Sequence, residues 1–217
     1  MLTRLRLFLI FILLILGHIE LFAQCFGSSS YDEWAFVIGG VDDESIVDAA
    51  LDDCGNFYVI GFTEGSTSIN FDPNGSNNVS FAGGTAKRYF IVKYDAIGQL
   101  AWAKNLPYQP SSIDVTPNGK IGLIGNFQGT KDFDLGSGIN QLTANSGDEI
   151  FIATYDADAQ LIWVKQLDGD GTDNAGDIAF GPNEEIGFTL GINEFTGSDS
   201  IDFNPDTALV DAYGFYS

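Results

Sequence analysis

The sequence predicts an all-β chain assembled from repeated four-stranded antiparallel units. Three observations lead to this. A pattern of about 60 residues runs through the chain nearly three times. Aromatic residues make up 13% of the chain and glycines number 26, which suits short strands separated by tight turns. Beyond residue 24 no stretch shows helical periodicity.

The repeat is clearest at a turn that feeds an apolar strand. Asp52-Asp53-Cys54-Gly55-Asn56 enters Phe57–Phe62, Thr116-Pro117-Asn118-Gly119 enters Ile121–Phe127, and Gly181-Pro182-Asn183 enters Ile186–Gly191. Taking Asn56, Asn118 and Asn183 as equivalent gives a period of 62 and then 65 residues. A fixed period implies units that bury their apolar faces only against neighbours.

Within the first unit, Ser45–Leu51 reads as a short strand with small apolar residues. Gly55 and Asn56 supply the positive φ that its turn needs. The mostly apolar run Phe57–Phe62 reads as a strand covered on both faces. A long polar loop is expected from Thr63 to about Lys87. Tyr89–Tyr94 then pairs with Leu100–Lys104 as a hairpin across Asp95-Ala96-Ile97-Gly98. The second unit repeats the hairpin with Phe151–Tyr155, Asp156-Ala157-Asp158-Ala159 and Leu161–Lys165. Four strands per unit is the content of one β-propeller blade. The chain is therefore expected to hold a leading strand in 34–44, a first blade in 45–106, a second in 111–168 and a truncated third in 174–217. The leading strand rests on Trp34-Ala35-Phe36-Val37, which matches the last strand of a unit.

Several of these residues resemble the SBBP-type bacterial β-propeller repeat. They are Gly39-Gly40, Asp43-Glu44, the series Asp53–Gly61, Asn70-Phe71-Asp72-Pro73, Phe90–Asp95, Gly98 and Trp102. The likeness spans roughly residues 34–217 and is strongest in the first unit. The second unit departs from it at Pro107-Tyr108-Gln109-Pro110, and the third has Glu184-Glu185 in its turn and lacks its hairpin. The resemblance implies a secreted or surface-attached bacterial protein with a propeller fold, and implies no enzyme activity.

Residues 1–24 have the layout of a secretory signal peptide: Arg4 and Arg6, an apolar run from Leu7 to Leu16, then Ala23-Gln24. The run is short of the roughly 20 residues of a spanning helix, so no transmembrane span is expected in the mature chain. Cys25 follows the candidate cut, but Gln24 stands where lipoproteins usually carry a small residue. At the other end, Asp211–Ser217 stops inside a strand that the earlier units complete. The expectation is an N-terminal fragment of a longer protein that supplies the missing blades, since three incomplete blades cannot close a ring.

The net charge is −21, which opposes binding to nucleic acid and anionic lipid and attracts cations. The sole histidine, His18, lies in the signal segment. Ser-His-Asp and Cys-His catalysis and His/Cys zinc sites are thereby excluded from the mature part. Cys25 and Cys54 are the only cysteines and could pair in an oxidising compartment. Asp42, Asp43 and Glu44 read as a solvated turn rather than an acid–base pair. Trp102 and Trp163 occupy matching strand positions and read as core rather than as sugar-stacking rings. Lys93, Lys104 and Lys165 read as edge charges.

One loop pattern offers chemistry. Asn70-Phe71-Asp72-Pro73-Asn74, Asp132-Phe133-Asp134 and Asp202-Phe203-Asn204-Pro205-Asp206 place oxygen-bearing side chains around a Phe. A hard cation such as Ca²⁺ takes six to eight oxygen ligands, so Asn70, Asp72, Asn74, Asp132, Asp134, Asp202, Asn204 and Asp206 form the candidate metal set. The preferred alternative is that these residues cap turns while the Phe packs inward. Calcium is the only cofactor suggested. The functional expectation is a secreted, non-catalytic scaffold with a structural or recognition role at the cell surface, its protein or glycan ligand unidentified. An accessory propeller of a larger secreted hydrolase and a carbohydrate-binding propeller stand as alternatives.

Overall fold

The computed structural model describes residues 35, 37, 43–65, 69–72, 80–81, 84–144, 147–167 and 173–191. The expected signal segment 1–24, Trp34, Cys25 and residues 192–217 lie outside these, as do Asn74, Asp202, Asn204 and Asp206. Of the expected leading strand 34–44, Ala35, Val37 and Asp43 are described and not in a strand, and Glu44 opens the first strand. Every regular element among the described residues is a β-strand.

The first sheet is an antiparallel meander of β1 (Glu44–Leu51), β2 (Phe57–Gly65), β5 (Gly84–Tyr94) and β6 (Leu100–Leu106), in that spatial order. A small hairpin, β3 (Ile69–Asn70) with β4 (Ser80–Phe81), is inserted between β2 and β5. The second sheet has the same plan: β7 (Gln109–Val115), β8 (Ile121–Phe127), β11 (Glu149–Tyr155) and β12 (Leu161–Leu167). Its inserted hairpin is β9 (Thr130–Asp132) with β10 (Gln141–Thr143). A third antiparallel pair follows, β13 (Asn174–Phe180) with β14 (Ile186–Gly191).

Two expectations from the sequence are corrected. The stretch from Thr63 to Lys87 is not one polar loop. Strand β2 continues to Gly65, β5 begins at Gly84, and these two glycines pair. Ile69 and Phe71 of the intervening segment are buried, so apolar contact draws it onto the sheet. Residues Gln109 and Pro110 belong to β7, opposite Asn126 and Gly125. A proline fits there because β7 is an edge strand and the ladder slips between Pro110 and Ser112.

The turn register also differs from the asparagine alignment. Asp52, Thr116 and Gly181 each donate their amide to the carbonyl of the residue four ahead, Asn56, Lys120 and Glu185. Each carbonyl in turn accepts the amide of the residue three ahead, Gly55, Gly119 or Glu184. These are type I turns closed by a left-handed residue. Cys54, not Asn56, is therefore the counterpart of Asn118 and Asn183, and the spacing between turns is 64 and then 65 residues. The same turn joins β5 to β6 and β11 to β12, where Gly98 and Ala159 hold the left-handed position. Ala159 (φ 60°) and Glu184 (φ 64°) do so without the freedom of glycine.

Alternation along the strands sorts the core into three layers. Tyr58, Ile60 and Ile91 of the first sheet meet Leu123, Phe151 and Tyr155 of the second. The opposite face of the second sheet, with Ile124, Ile150 and Ile152, packs against Ile178, Phe188 and Leu190 of the third pair. The far face of the first sheet gathers Phe90, Val92 and Tyr94 with Phe71 and Phe81 from its inserted hairpin. All seven residues of β11 are buried.

The edge strands β1 and β7 bulge at matching places, between Ile46 and Asp48 and between Pro110 and Ser112. Gly61 and Gly125 lie across from these bulges. A Cβ at Gly125 would collide with the Gln109 carbonyl oxygen and lie 2.8 Å from the Phe151 ring. At Gly61 it would collide with the Ser45 carbonyl oxygen and lie 2.7 Å from the Phe90 ring. We predict that Gly125→Ala lowers the unfolding free energy by about 1–3 kcal/mol through overpacking. Gly187→Ala, whose nearest neighbour would be 3.9 Å away, should change it far less. Chemical denaturation of the two variants checks this.

Candidate functional site

Two of the three Asx-Phe-Asx loops lie among the described residues, one in each four-stranded sheet. Phe71 and Phe133 are fully buried. Phe133 stacks on Tyr108 with ring centres 4.5 Å apart and sits 5.0 Å from Phe151. Phe71 meets Phe81 and Phe90 edge-on at 4.9 and 4.8 Å. A buried tyrosine clamps each loop from behind. Tyr94 donates its hydroxyl to the Phe71 carbonyl at 2.9 Å, and Tyr155 donates to the Phe133 carbonyl at 3.0 Å.

The oxygen-bearing side chains are engaged in the same loops. Asn70 Oδ1 accepts the Asp72 amide at 2.9 Å. Asp132 Oδ1 accepts the amides of Asp134 and Asn140 at 3.1 and 2.9 Å. Asp134 Oδ1 accepts the Gly136 amide at 2.7 Å. These bonds satisfy turn amides, and the central carbonyl a cation would use is already held by a tyrosine. Asn70 and Asp72 share one loop, Asp132 and Asp134 another, each on its own sheet. Among the described residues, no three His, Cys, Asp or Glu side chains come together to hold a metal. The residues visible in these loops thus fit turn capping better than an oxygen cage.

A second constellation was not foreseen from the sequence. Strands β1, β7 and β13 lie side by side, and Asp48, Ser112 and Asp177 form a row across them. The Ser112 hydroxyl is 2.9 Å from Asp48 Oδ2 and 2.5 Å from Asp177 Oδ1. The hydroxyl has one proton, so it donates to one carboxylate at a time. Asp48 Oδ2 also accepts the Ile113 amide at 3.0 Å, and Asp114 Oδ2 accepts the Phe180 amide at 2.6 Å. Each bond ties one sheet to the backbone of the next. The row eludes sequence reading because a serine stands between two aspartates at equivalent positions.

Other candidates resolve into packing. Trp102 donates its indole N–H to the Ala157 carbonyl at 3.1 Å and packs edge-on against Tyr58. Trp163 packs on the core layer shared with the third pair. Lys93 is more than an edge charge: its ammonium donates to the same Ala157 carbonyl at 3.1 Å and lies 5.0 Å from the centre of the Tyr58 ring. Asp43 offers its backbone carbonyl to the Glu64 amide at 2.8 Å. Cys54 is disulfide-bonded. The one other cysteine in the chain, Cys25, lies outside the described residues.

No family model matches the chain, and no curated protein matches it. No helix among the described residues is long and apolar enough to cross a membrane.

The tyrosine clamps carry an electrostatic signature. Tyr155 gives its proton to the Phe133 carbonyl, so Tyr108 must be the donor in the 2.5 Å contact between their hydroxyls. Burial is the main cause raising Tyr58, Tyr94, Tyr108 and Tyr155 above the ordinary tyrosine value. A nearby carboxylate adds to it at Tyr58 (Asp52) and Tyr94 (Asp72). Folding therefore favours the protonated phenols. Their contribution is intact below the unfolded tyrosine pKa of about 10 and declines as the pH rises past it. We predict that the melting temperature falls steeply above about pH 10, and that Tyr108→Phe reduces the slope. Separately, turn capping predicts equal melting temperatures in calcium and in chelator. A calcium-dependent rise would return these loops to metal binding.

Proposed function

We propose that the chain is part of a secreted, non-catalytic β-propeller that serves as a structural or recognition scaffold at a bacterial cell surface. One observation carries this reading. Two four-stranded up-and-down sheets and a third antiparallel pair stack face to face, with their first strands β1, β7 and β13 in a row and joined by the Asp48, Ser112 and Asp114 hydrogen bonds. Sheets stacked in this way, each advanced by the same step, are the arrangement from which radial folds are built. The disulfide at Cys54 and the signal-like layout of residues 1–24 support export to an oxidising compartment. The SBBP-type repeat remains the family this reading suggests. The titratable residues support the non-catalytic part, because the aspartates of the row and of the loops are engaged with backbone amides and hydroxyls.

Negative-stain microscopy of the native protein from its own cells tests the proposal. Ring-shaped particles with a central channel, found in the extracellular or surface fraction, are the expected result. An open stack of sheets, or a cytoplasmic location, would rule it out.

A further inference from the structure

From the structure we infer that a groove between the first and second sheets binds a carboxylate-bearing saccharide through Arg88 and Lys104. The inference deepens the recognition reading above and rests on it for the biological setting. The groove has a volume of about 880 Å³, within the usual range of ligand sites. It runs between the β5–β6 edge of the first sheet and the β9 loop of the second.

Its charge is the opposite of the chain's. The chain has 9 Lys and Arg against 30 Asp and Glu, yet four of those cations, Lys87, Arg88, Lys104 and Lys131, line this groove beside two carboxylates, Asp132 and Asp134. Lys87 pairs with Glu64 at 3.2 Å. Among the described residues, Arg88, Lys104 and Lys131 are in no ion pair. Arg88 carries the second, independent sign. Its Nε and Nη2 are buried and have no hydrogen-bond partner. Those two nitrogens form one side of the guanidinium, the fork whose parallel N–H groups match the two oxygens of a carboxylate. Buried donors without acceptors are costly, so a state that supplies both acceptors is favoured. Binding by this fork requires the Arg88 side chain to turn toward the groove, since both nitrogens are buried.

The rest of the lining selects the kind of anion. The lining includes two aromatic residues, Tyr89 and Phe81, and the hydrogen-bonding residues Asn105 and Asp132. A net charge of −21 repels a long polyanion before it arrives. A short acidic sugar brings few charges, many hydroxyls and flat faces, which is the chemistry this lining answers.

Calorimetric titration of the full chain with trigalacturonic acid tests this. The comparison probes are its neutral methyl ester and triglutamate. The expected result is saturable binding of trigalacturonic acid and binding at least about tenfold weaker for the ester. Arg88→Gln and Lys104→Gln should each weaken binding by about tenfold or more, the loss of one charge-assisted contact. Lys165→Gln, a basic residue outside the groove, should leave it unchanged. If Arg88→Gln alters the far-ultraviolet circular dichroism, Lys104→Gln alone decides. Equal affinity for acid and ester, wild-type affinity in the deciding variants, absence of binding or tighter binding of triglutamate would each overturn the proposal. None of these results bears on particle shape, so the scaffold reading stands or falls by microscopy alone.

Discussion

A strand buried on both faces has to be covered from both sides, and most of this architecture answers that requirement. Strand β11 has no exposed residue, and β8 has one half-buried residue among otherwise buried ones. One face of their sheet is covered by the first sheet through Tyr58, Ile60 and Ile91, and by Phe133 of its own inserted loop. The other is covered by the third pair through Ile178 and Phe188. The inserted hairpins follow from the same requirement. Each sends a phenylalanine into the core beside its own sheet, and a tyrosine hydroxyl holds that residue's carbonyl. The aromatic contacts, worth about 0.5–1.5 kcal/mol each beyond the area they bury, also fix the angle of the loop.

The acidity of the chain has a structural side. Asp52, Asp95 and Asp156 each use Oδ1 to hold two amides of a tight turn, and Thr116 uses its hydroxyl in the same way for Lys120. In the fifth turn Gly181 has no side chain to offer. Glu185 reaches back from the far end and accepts the Asn183 amide at 3.0 Å. Asp48 and Asp114 carry the same chemistry between sheets. A carboxylate that accepts amides serves as a joint, and the basic groove stands out against a surface whose acids are so often occupied.

The central strands were legible in the sequence because dense apolar runs such as Phe57–Phe62 and Ile121–Phe127 have few alternatives. The hairpins around Asp95 and Asp156 were legible from their matching flanks. Where a local signal competed with tertiary contact, the reading failed. Pro107-Tyr108-Gln109-Pro110 read as a departure from the repeat, yet Gln109 and Pro110 pair in β7, an edge strand with a bulge after Pro110. The polar stretch after Thr63 conceals Ile69, Phe71 and Phe81, whose packing lays a separate small hairpin against the sheet. Three asparagines suggested the wrong turn register because the left-handed position, not the asparagine, defines the turn. In the candidate loops the spacing drew attention to the Asx residues, while the tyrosine behind each described loop comes from a distant strand. The groove was invisible for a related reason: Arg88, Lys104 and Lys131 come together only once two sheets are docked.

Six of the hydrogen bonds that join neighbouring sheets share one more property, their reach along the chain. Ser112 to Asp48, Lys93 to Ala157 and Lys120 to Glu184 each span 64 residues; Ser112 to Asp177 and Ile113 to Asp48 span 65, and Phe180 to Asp114 spans 66. Each of these bonds reaches one unit and stops. Such a molecule behaves as a chain of coupled links, in which each link feels only the two beside it. Hairpins close over a few residues, whereas docking needs a loop of one full unit, so local pairing precedes assembly. A lesion in one link weakens two junctions and leaves the others as they were.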